Sequence, residues 1–229
     1  HSKAAIHNSG EKVGTVATQV VFDPSNPGEH VGIASKCIRD GFVIITPHEN
    51  GYVYLCDAFS EDSVRAMHVL RGDALGVASQ VLIASHVQIE GIARDITEDA
   101  RALMKAFWPG ALSLTLRPQL GLNWDLGDGQ QLDSFSVRVP SADFILQLAK
   151  LHGPLAVASA AFAGNPPITD PSDLKFTELE VAAIFSIGPI TQGLATTVVA
   201  GDSEPARIVR VGAISADQIT AIAPDISGE

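Results

Sequence analysis

The stretch FVIITPHENGYVYLCDA, residues 42–58, indicates the fold class of this chain. Its two apolar runs, 42–47 and 52–58, each have the length of a short strand, and the polar turn HENG separates them. Both runs are almost uniformly apolar, which is typical of strands covered on both faces of a sheet. We therefore expect two buried strands here, with other elements packed against them.

Helical patterns flank these two strands. Residues 28–41 place apolar side chains at helical spacing and end at Gly41. Residues 60–72 begin with Ser60 as an N-cap, continue with acidic residues in the first turn, and end at Gly72. The central strands are therefore expected to pack against helices on either side of them in the chain.

The same alternation of strands and helices continues to the end of the chain. Strands are predicted at 15–22, 80–85, 111–117, 135–140, 154–159, 181–188, 196–201 and 207–212, and helices at 97–108 (capped by Thr97), 141–153 (capped by Ser141) and 215–223. The polar, glycine-rich segment 120–134 is expected to be a flexible loop. This order predicts an α/β fold with one domain at 28–229 and an N-terminal arm at 1–27.

Composition and charge restrict the function classes. Hydrophobic residues make up 46% of the chain and charged residues 18%, which supports a sizeable core and excludes a disordered chain. The formal net charge is −11, and Lys and Arg occur singly rather than in a basic stripe. Because RNA is a polyanion, we predict no tight binding of double-stranded RNA at physiological salt.

Other patterns bear on location and metal binding. No apolar run reaches the roughly eighteen residues of a membrane helix, and the start HSKAAIHNSG lacks a signal pattern, so we expect a cytoplasmic protein. Cys37 and Cys56 are expected to be small buried thiols rather than a disulfide framework. The seven histidines are scattered, and we therefore expect no protein-bound metal.

Candidate ligand-binding residues lie at the ends of predicted strands, because the common nucleotide-binding loops are absent from the sequence. Ser159 follows one strand, and Thr196 and Thr197 begin another. For an isolated hydroxyl, the alternative is that it only satisfies a turn. Arg138 lies between apolar neighbours and needs a partner or an anion if it is buried. His68 lies on a helix and is expected to be structural.

The segment Arg71-Gly72-Asp73 leaves two interpretations open. A cation beside a glycine can hold a phosphate, but the same residues also describe an ordinary helix C-terminus, with Gly72 in the left-handed cap. Asp73 makes the phosphate interpretation awkward, because a carboxylate there repels an anion.

Five stretches, in order, resemble the YrdC/YciO family of threonylcarbamoyl-AMP synthases. They are FWPGALSLTLR (107–117), SVRVP (136–140), GPLAVASAAFAGNPPITD (153–170), GPITQGLATTVV (188–199) and VRVGAIS (209–215). The resemblance covers residues 28–216 and implies a single α/β domain, a twisted mixed sheet with flanking helices around a deep concave groove. Family members join L-threonine, bicarbonate and ATP to give threonylcarbamoyl-adenylate and pyrophosphate, the first step toward a modified adenosine in tRNA. Some are described as binding double-stranded RNA.

The resemblance also implies which residues form the site. The expected ligands are a nucleotide or small anion, with magnesium if the chain is active, and L-threonine. The residues expected to bind the nucleotide phosphates are Arg71, Arg138, Ser159, Thr196, Thr197 and Arg210, and those expected to line the threonine pocket are Pro47, Glu49 and Tyr52. No catalytic residue is assigned.

Four of the positions at which the sequence departs from the family pattern bear on synthase activity. Asp73 stands where the family has a cation, Ala161 where it has an asparagine, and His48 and Asn50 where its threonine-binding turn has threonines. Losing a charge-assisted contact or adding repulsion costs on the order of 1–3 kcal/mol each. We therefore predict a groove that still binds a nucleotide or small anion, with weak or lost synthase activity. The alternatives are an active divergent synthase and an RNA-binding or interaction protein.

Overall fold

The computed structural model describes residues 17–23, 25–176 and 180–227. Within these ranges the helices are α1 (Gly28–Arg39), α2 (Glu61–Arg71), α3 (Glu98–Phe107), α4 (Asp143–His152) and α5 (Ala216–Ile222). The strands are β1 (Thr18–Val21), β2 (Val43–Pro47), β3 (Tyr52–Asp57), β4 (Gln80–Leu82), β5 (Ala93–Arg94), β6 (Leu112–Pro118), β7 (Phe135–Arg138), β8 (Leu155–Ser159), β9 (Val181–Ser186), β10 (Thr197–Ala200) and β11 (Arg207–Arg210).

The strands form one mixed sheet in the order β1-β9-β2-β3-β8-β4-β7-β6-β10-β11, and the short β5 pairs with β6. The pairs β1–β9, β2–β9, β4–β7 and β6–β10 are parallel, while β2–β3, β3–β8, β4–β8, β6–β7 and β10–β11 are antiparallel. This confirms the predicted α/β fold with a mixed sheet.

The central hairpin is covered on both faces, as its uniformly apolar sequence predicts. Every residue of β2 is buried. Ile44 and Leu55 belong to the core cluster on one face, which includes side chains of α1 and α4, and Ile45 and Tyr54 belong to the cluster on the other face, which includes side chains of α2 and α3. Alternate residues of one strand thus enter two separate apolar layers.

The predicted helix ends are confirmed where the cap is local. The Ser60 side chain accepts a hydrogen bond from Ser63 N at the start of α2, and Gly72 ends that helix in the left-handed conformation with φ 66°. Thr97 accepts from Ala100 N in the same way at α3. At α4 the prediction is wrong, because the N-cap is Ala142 and Ser141 provides no side-chain cap.

The loop at 120–134 and three short elements differ from what the sequence predicts. The segment 120–134 is irregular, as expected, but Trp124 and Leu126 are buried within it, and Trp124 packs edge-on against Phe135. This loop is therefore anchored to the core rather than free along its length. The sequence also did not indicate the 3₁₀ helices at His86–Gly91 and Pro171–Asp173 or the strand β5.

The predicted arm at 1–27 lies partly outside the described residues. Its described strand, β1, pairs in parallel with β9 and forms one edge of the sheet. Residues 1–16 and 24 are not among those described, so the division at 27 stays a prediction. None of the helices in the described ranges is long and apolar enough to cross a membrane.

Candidate ligand-binding groove

A groove of about 340 Å³ lies where the β2–β3 turn, the end of α2, the start of β4 and the end of β8 approach one another. Five of the six residues predicted to bind phosphate line it, namely Arg71, Arg138, Ser159, Thr196 and Arg210. They come from different elements of the chain, so the sheet topology brings them together. These five residues therefore lie around one groove, and their role in binding phosphate stays a prediction.

Thr197, the sixth predicted residue, is not available to a ligand through its side chain. The side chain is fully buried, and its hydroxyl donates to Ile214 O while accepting from Gly212 N and Ile214 N. A hydroxyl has one hydrogen to donate and two lone pairs, and all three are used here. Thr197 instead holds the segment after β11 against the start of β10.

Arg71 lies at one end of the groove, and backbone oxygens fix its orientation. Its Nη1 donates to Ser159 O at 2.5 Å and to Ala161 O at 3.1 Å, and its Nε donates to Asp73 Oδ2 at 3.0 Å. Nη2 makes no hydrogen bond with any described residue. It is therefore the guanidinium nitrogen that remains free for an anion.

Asp73 does not face the groove as an uncompensated charge. Its side chain is 5% exposed, and Oδ2 lies 2.8 Å from His68 Nδ1 in addition to Arg71 Nε. Burial alone would raise the pKa of Asp73, but the hydrogen bonds from His68 and Arg71 outweigh burial and lower it. We call Arg71, Asp73 and His68 the Arg71 cluster. His68, expected to be structural, also lines the groove.

Arg138 also lines the groove, and both of its terminal nitrogens contact other protein atoms. Its Nη1 donates to Glu49 Oε2 at 2.5 Å and to Gly110 O at 3.1 Å, and its Nη2 lies 2.6 Å from His48 Nε2. We call Arg138, Glu49 and His48 the Arg138 cluster. The partner that a buried arginine requires is thus supplied by the protein itself.

The Arg138 cluster changes the protonation of its two titratable members. Burial and, next, the adjacent Arg138 guanidinium lower the pKa of His48 to about 4. Burial alone would raise the pKa of Glu49, but Arg138 and the hydrogen bonds to this carboxylate lower it to about 2. At neutral pH this cluster therefore contains a neutral imidazole beside an ion pair.

Glu49 also replaces the missing cap of α4. Its Oε1 accepts from Ser141 N and Oγ, both at 2.8 Å, and from Ala142 N at 3.3 Å. A carboxylate that contacts amide groups at a helix N-terminus stabilises that end of the helix. Glu49 thus explains why Ser141 does not cap α4 with its own side chain.

Three buried polar atoms that line this groove have no hydrogen-bond partner among the described residues. They are His48 Nδ1, Asn50 Oδ1 and Ser79 Oγ. Because Arg138 can only donate, His48 Nε2 accepts from it and Nδ1 carries the proton. Asn50 donates through Nδ2 to Leu194 O at 2.9 Å, which leaves Oδ1 as an acceptor. Buried polar atoms are rarely left unpaired, so each of these three requires a partner from outside the described residues, such as water or a ligand.

Of the three residues expected to line the threonine pocket, Pro47, Glu49 and Tyr52, only Tyr52 lines the groove. Tyr52 lines the groove, but its hydroxyl donates to Gly188 O at 2.6 Å and accepts from Ile187 N at 3.2 Å. Pro47 and Glu49 are not part of the groove lining. Their neighbours His48 and Asn50 provide the free polar atoms instead.

The sequence did not indicate Ser79 as a groove residue. It predicted a structural role for His68, and it showed Asn50 only as a departure from the family pattern. No local signal identifies Ser79, which precedes a short strand and is 5% exposed.

Arg210 and Thr196, two of the predicted phosphate-binding residues, contact each other. Arg210 Nε and Nη2 donate to Thr196 O at 3.2 and 2.8 Å. The Thr196 hydroxyl also lies 2.9 Å from Ser113 Oγ.

The described ranges of the chain contain His, Cys, Asp and Glu side chains, which are common metal ligands. No set of three or more His, Cys, Asp or Glu side chains there is arranged to hold a metal ion. Cys56 is buried, Cys37 is half-buried, and both are free thiols.

Comparison with known proteins confirms the resemblance seen in the sequence. The family model Sua5_yciO_yrdC, described as "Telomere recombination", matches residues 36–212. The putative threonylcarbamoyl-AMP synthase of Mycobacterium leprae is 32% identical over 206 residues, which cover 88% of this chain and 93% of that protein.

Solved structures agree with this assignment. Pyrococcus abyssi Sua5 in complex with L-threonine superposes with a TM-score of 0.80 at 26% identity over 94% of this chain. This chain spans 63% of that protein's length. Escherichia coli YciO superposes with a TM-score of 0.72 at 22% identity, over 86% of this chain and 95% of YciO, which shows a common fold.

Proposed function

The chain belongs to the Sua5/YciO/YrdC family, and on this premise we propose that its groove binds a nucleoside triphosphate together with L-threonine, with weakened threonylcarbamoyl-AMP synthase activity. One observation carries the proposal. Five predicted ligand-binding residues line the same groove as three buried polar atoms that lack a partner among the described residues. Cations and unpaired donors and acceptors in one concave site are the features of a polar-ligand site.

The phosphates are assigned to Arg71 and Arg210, which both line the groove. Each of these guanidinium groups keeps a nitrogen that makes no hydrogen bond within the described residues, Nη2 in Arg71 and Nη1 in Arg210. Hydrogen bonds from a guanidinium to a phosphate are charge-assisted and stronger than neutral ones. Arg138 contributes less, because Glu49 and His48 already occupy it.

The amino acid is assigned to His48 and Asn50. His48 Nδ1–H can only donate to a ligand, and Asn50 Oδ1 can only accept. A zwitterionic amino acid presents the matching pair, since its carboxylate accepts and its ammonium group donates. L-threonine is the amino acid bound in the related P. abyssi Sua5 structure.

In the proposed reaction bicarbonate and the amino group of L-threonine form a carbamate with loss of water, and the carbamate oxygen attacks the α-phosphorus of ATP as pyrophosphate leaves. The α-phosphorus must face this oxygen, and fixed donors must stabilise the developing charge. Because the described residues lack a cluster for a resident metal, magnesium is proposed to enter with the phosphates of ATP. Ala161 offers only its backbone, where the family pattern has an amide side chain. Losing one such donor slows a reaction by about 100-fold or more.

The test is threonine-dependent release of pyrophosphate from ATP by the purified chain, with a typical family member as control. We expect a rate about 100-fold below the control. A rate equal to that of the control would contradict the weakened activity but not the binding site. Calorimetry with ATP, AMP and L-threonine, alone and paired, tests binding directly. Failure of all three ligands to bind would refute the proposed function.

Location and pathway are parts of the same proposal. The names of the relatives give threonylcarbamoyl-AMP as the product, and the family resemblance implies a role at the start of tRNA modification. The free thiols Cys37 and Cys56 fit a reducing, cytoplasmic environment. Direct binding of double-stranded RNA is not proposed, since the formal net charge of −11 opposes it.

A further inference from the structure

His68 lies between two hydrogen-bond acceptors. Its Nδ1 is 2.8 Å from Asp73 Oδ2, and its Nε2 is 2.8 Å from the carbonyl oxygen of Leu126. A carbonyl oxygen has no hydrogen to donate, and Asp73 is held as a carboxylate by the donors around it. Both ring nitrogens therefore face atoms that can only accept.

Hydrogen-bond geometry distinguishes the neutral ring from the imidazolium. A neutral imidazole has one N–H, so one of its nitrogens would direct a lone pair at an oxygen 2.8 Å away. The doubly protonated imidazolium donates to both oxygens. With a side chain that is 13% exposed, His68 has little access to water that could relieve such a mismatch.

The charged and polar groups around His68 are consistent with this state. Asp73 is the carboxylate in direct contact, and Arg71 contacts the same Oδ2 atom from its other side. The carbonyl of Leu126 also accepts from Ser79 N at 2.8 Å, which fixes its position next to the ring. Gly127 approaches closely from the loop, and a Cβ atom there would lie 2.3 Å from His68 Nε2.

We infer that His68 is a positively charged part of the anion site and that its charge offsets the charge of Asp73. With this imidazolium, the Arg71 cluster holds two cations and one carboxylate and keeps a net charge of +1 beside the groove. Asp73 then reduces anion binding less than the sequence alone suggests. The inference rests on the proposed function, because it concerns the phosphate end of the same groove.

A purely structural role is the competing explanation. His68 connects α2 to the 120–134 loop through Leu126, so its removal could act only by loosening that loop. The two explanations differ in what a second substitution at Asp73 does. If charge matters, removing both charges returns the cluster to +1, while if packing matters, the second substitution adds damage.

The test is a double-mutant cycle with His68→Gln, Asp73→Asn and the combined variant, using calorimetric titration with inorganic pyrophosphate at pH 7. Asp73→Asn preserves size and one acceptor oxygen, and His68→Gln keeps a donor group without the charge. We expect His68→Gln to weaken pyrophosphate binding by about tenfold, Asp73→Asn to leave it unchanged or stronger, and the double variant to return close to the wild-type affinity. Unchanged binding by His68→Gln, or a double variant as weak as His68→Gln, would overturn the inference.

A measurement on the unmodified chain covers the case in which a variant does not fold. Nitrogen NMR of the His68 ring at pH 7 should show both nitrogens protonated, and a single protonated nitrogen would overturn the inference. If the wild-type chain does not bind pyrophosphate at all, the proposed phosphate site fails. The ring measurement still decides the charge of His68 in that case, so the two failures can be distinguished.

Discussion

The Arg71 cluster and the Arg138 cluster contain the same three residue types, an arginine, a carboxylate and a histidine, yet their histidines face opposite surroundings. His68 contacts a carboxylate and a carbonyl oxygen, whereas His48 lies against the Arg138 guanidinium and leaves Nδ1 unpaired. The first arrangement favours an imidazolium, and the second requires a neutral ring. The charge of a histidine thus depends on which neighbours donate and which accept, not on the types of residue nearby.

The arginines differ in a related way. Arg138 is occupied at Nη1 by Glu49 and Gly110 and at Nη2 by His48, so it holds the β2–β3 turn against β7 and the start of α4. Arg71 is oriented by backbone oxygens and Asp73 but keeps Nη2 free of partners within the described residues. We therefore expect Arg138 to contribute mainly to stability and Arg71 mainly to ligand binding.

The largest expected effect separates the two arginines by stability. Replacing Arg138 by Met leaves Glu49 partly buried without its cation and should cost about 3–5 kcal/mol of the free energy of unfolding. Replacing Arg71 by Met leaves Asp73 with His68 and should cost only about 1–2 kcal/mol. Urea denaturation of both variants measures the difference. Equal costs would show that the two clusters do not differ in this way.

A pH titration of stability tests the neutral state of His48. Its pKa is about 4 in the folded chain and 6.5 as an ordinary value, so the unfolded chain binds the proton more tightly. The stabilisation is fully present above about pH 6.5 and is lost as pH falls to 4, by about 2–3 kcal/mol.

The His48→Gln variant is the control for this titration, because all carboxylates also contribute in acid. Its loss of stability between pH 6.5 and 4 should be smaller than that of the wild-type chain by about the same 2–3 kcal/mol. Glu49, with its pKa lowered to about 2, contributes in the same direction only below its ordinary value of 4.5. Parallel curves for the two proteins would mean that His48 is not held neutral.

Ligand affinity should show the reverse order of the two arginines. Arg71→Met removes the free Nη2 and should weaken ATP binding by about 1.5–3 kcal/mol, roughly 10- to 150-fold. Arg71→Lys is the matched control, since it keeps the charge but not the planar fork, and should lose less. Calorimetry at fixed salt makes the comparison. Unchanged ATP affinity in Arg71→Met would return Arg71-Gly72 to the interpretation as a plain helix end.

The smallest expected effect concerns a single hydroxyl. Ser79 Oγ is buried without a partner among the described residues, so Ser79→Ala should leave the free energy of unfolding unchanged or raise it by up to about 1 kcal/mol. The same variant should bind the ligand about 1 kcal/mol more weakly if this hydroxyl contacts it. Thr197→Ala is the contrast, because its hydroxyl is fully paired and its loss should destabilise the fold. Lower stability in Ser79→Ala would indicate that its hydroxyl already has a partner.

Much of the fold could be read from local sequence. The uniformly apolar run of β2 predicted a strand covered on both faces, and Ser60, Thr97 and Gly72 marked helix ends, because each of these features depends on residues within one turn or one strand. Five of the six residues that the family resemblance implies for phosphate binding line one groove. These parts of the description needed no knowledge of distant contacts.

The tertiary structure alone decided what the polar residues do. Asp73 is compensated by His68, His68 contacts a carbonyl 58 positions away, and Glu49 pairs with an arginine 89 positions away while it caps α4 in place of Ser141. Thr197 was expected in the groove, but its hydroxyl forms hydrogen bonds with backbone atoms after β11. Apolar periodicity is a local property, so the sequence determined the layers of the sheet. Charge and hydrogen bonding depend on burial and on partners that only folding brings within about 3 Å, so the chemistry of the groove was determined by the fold.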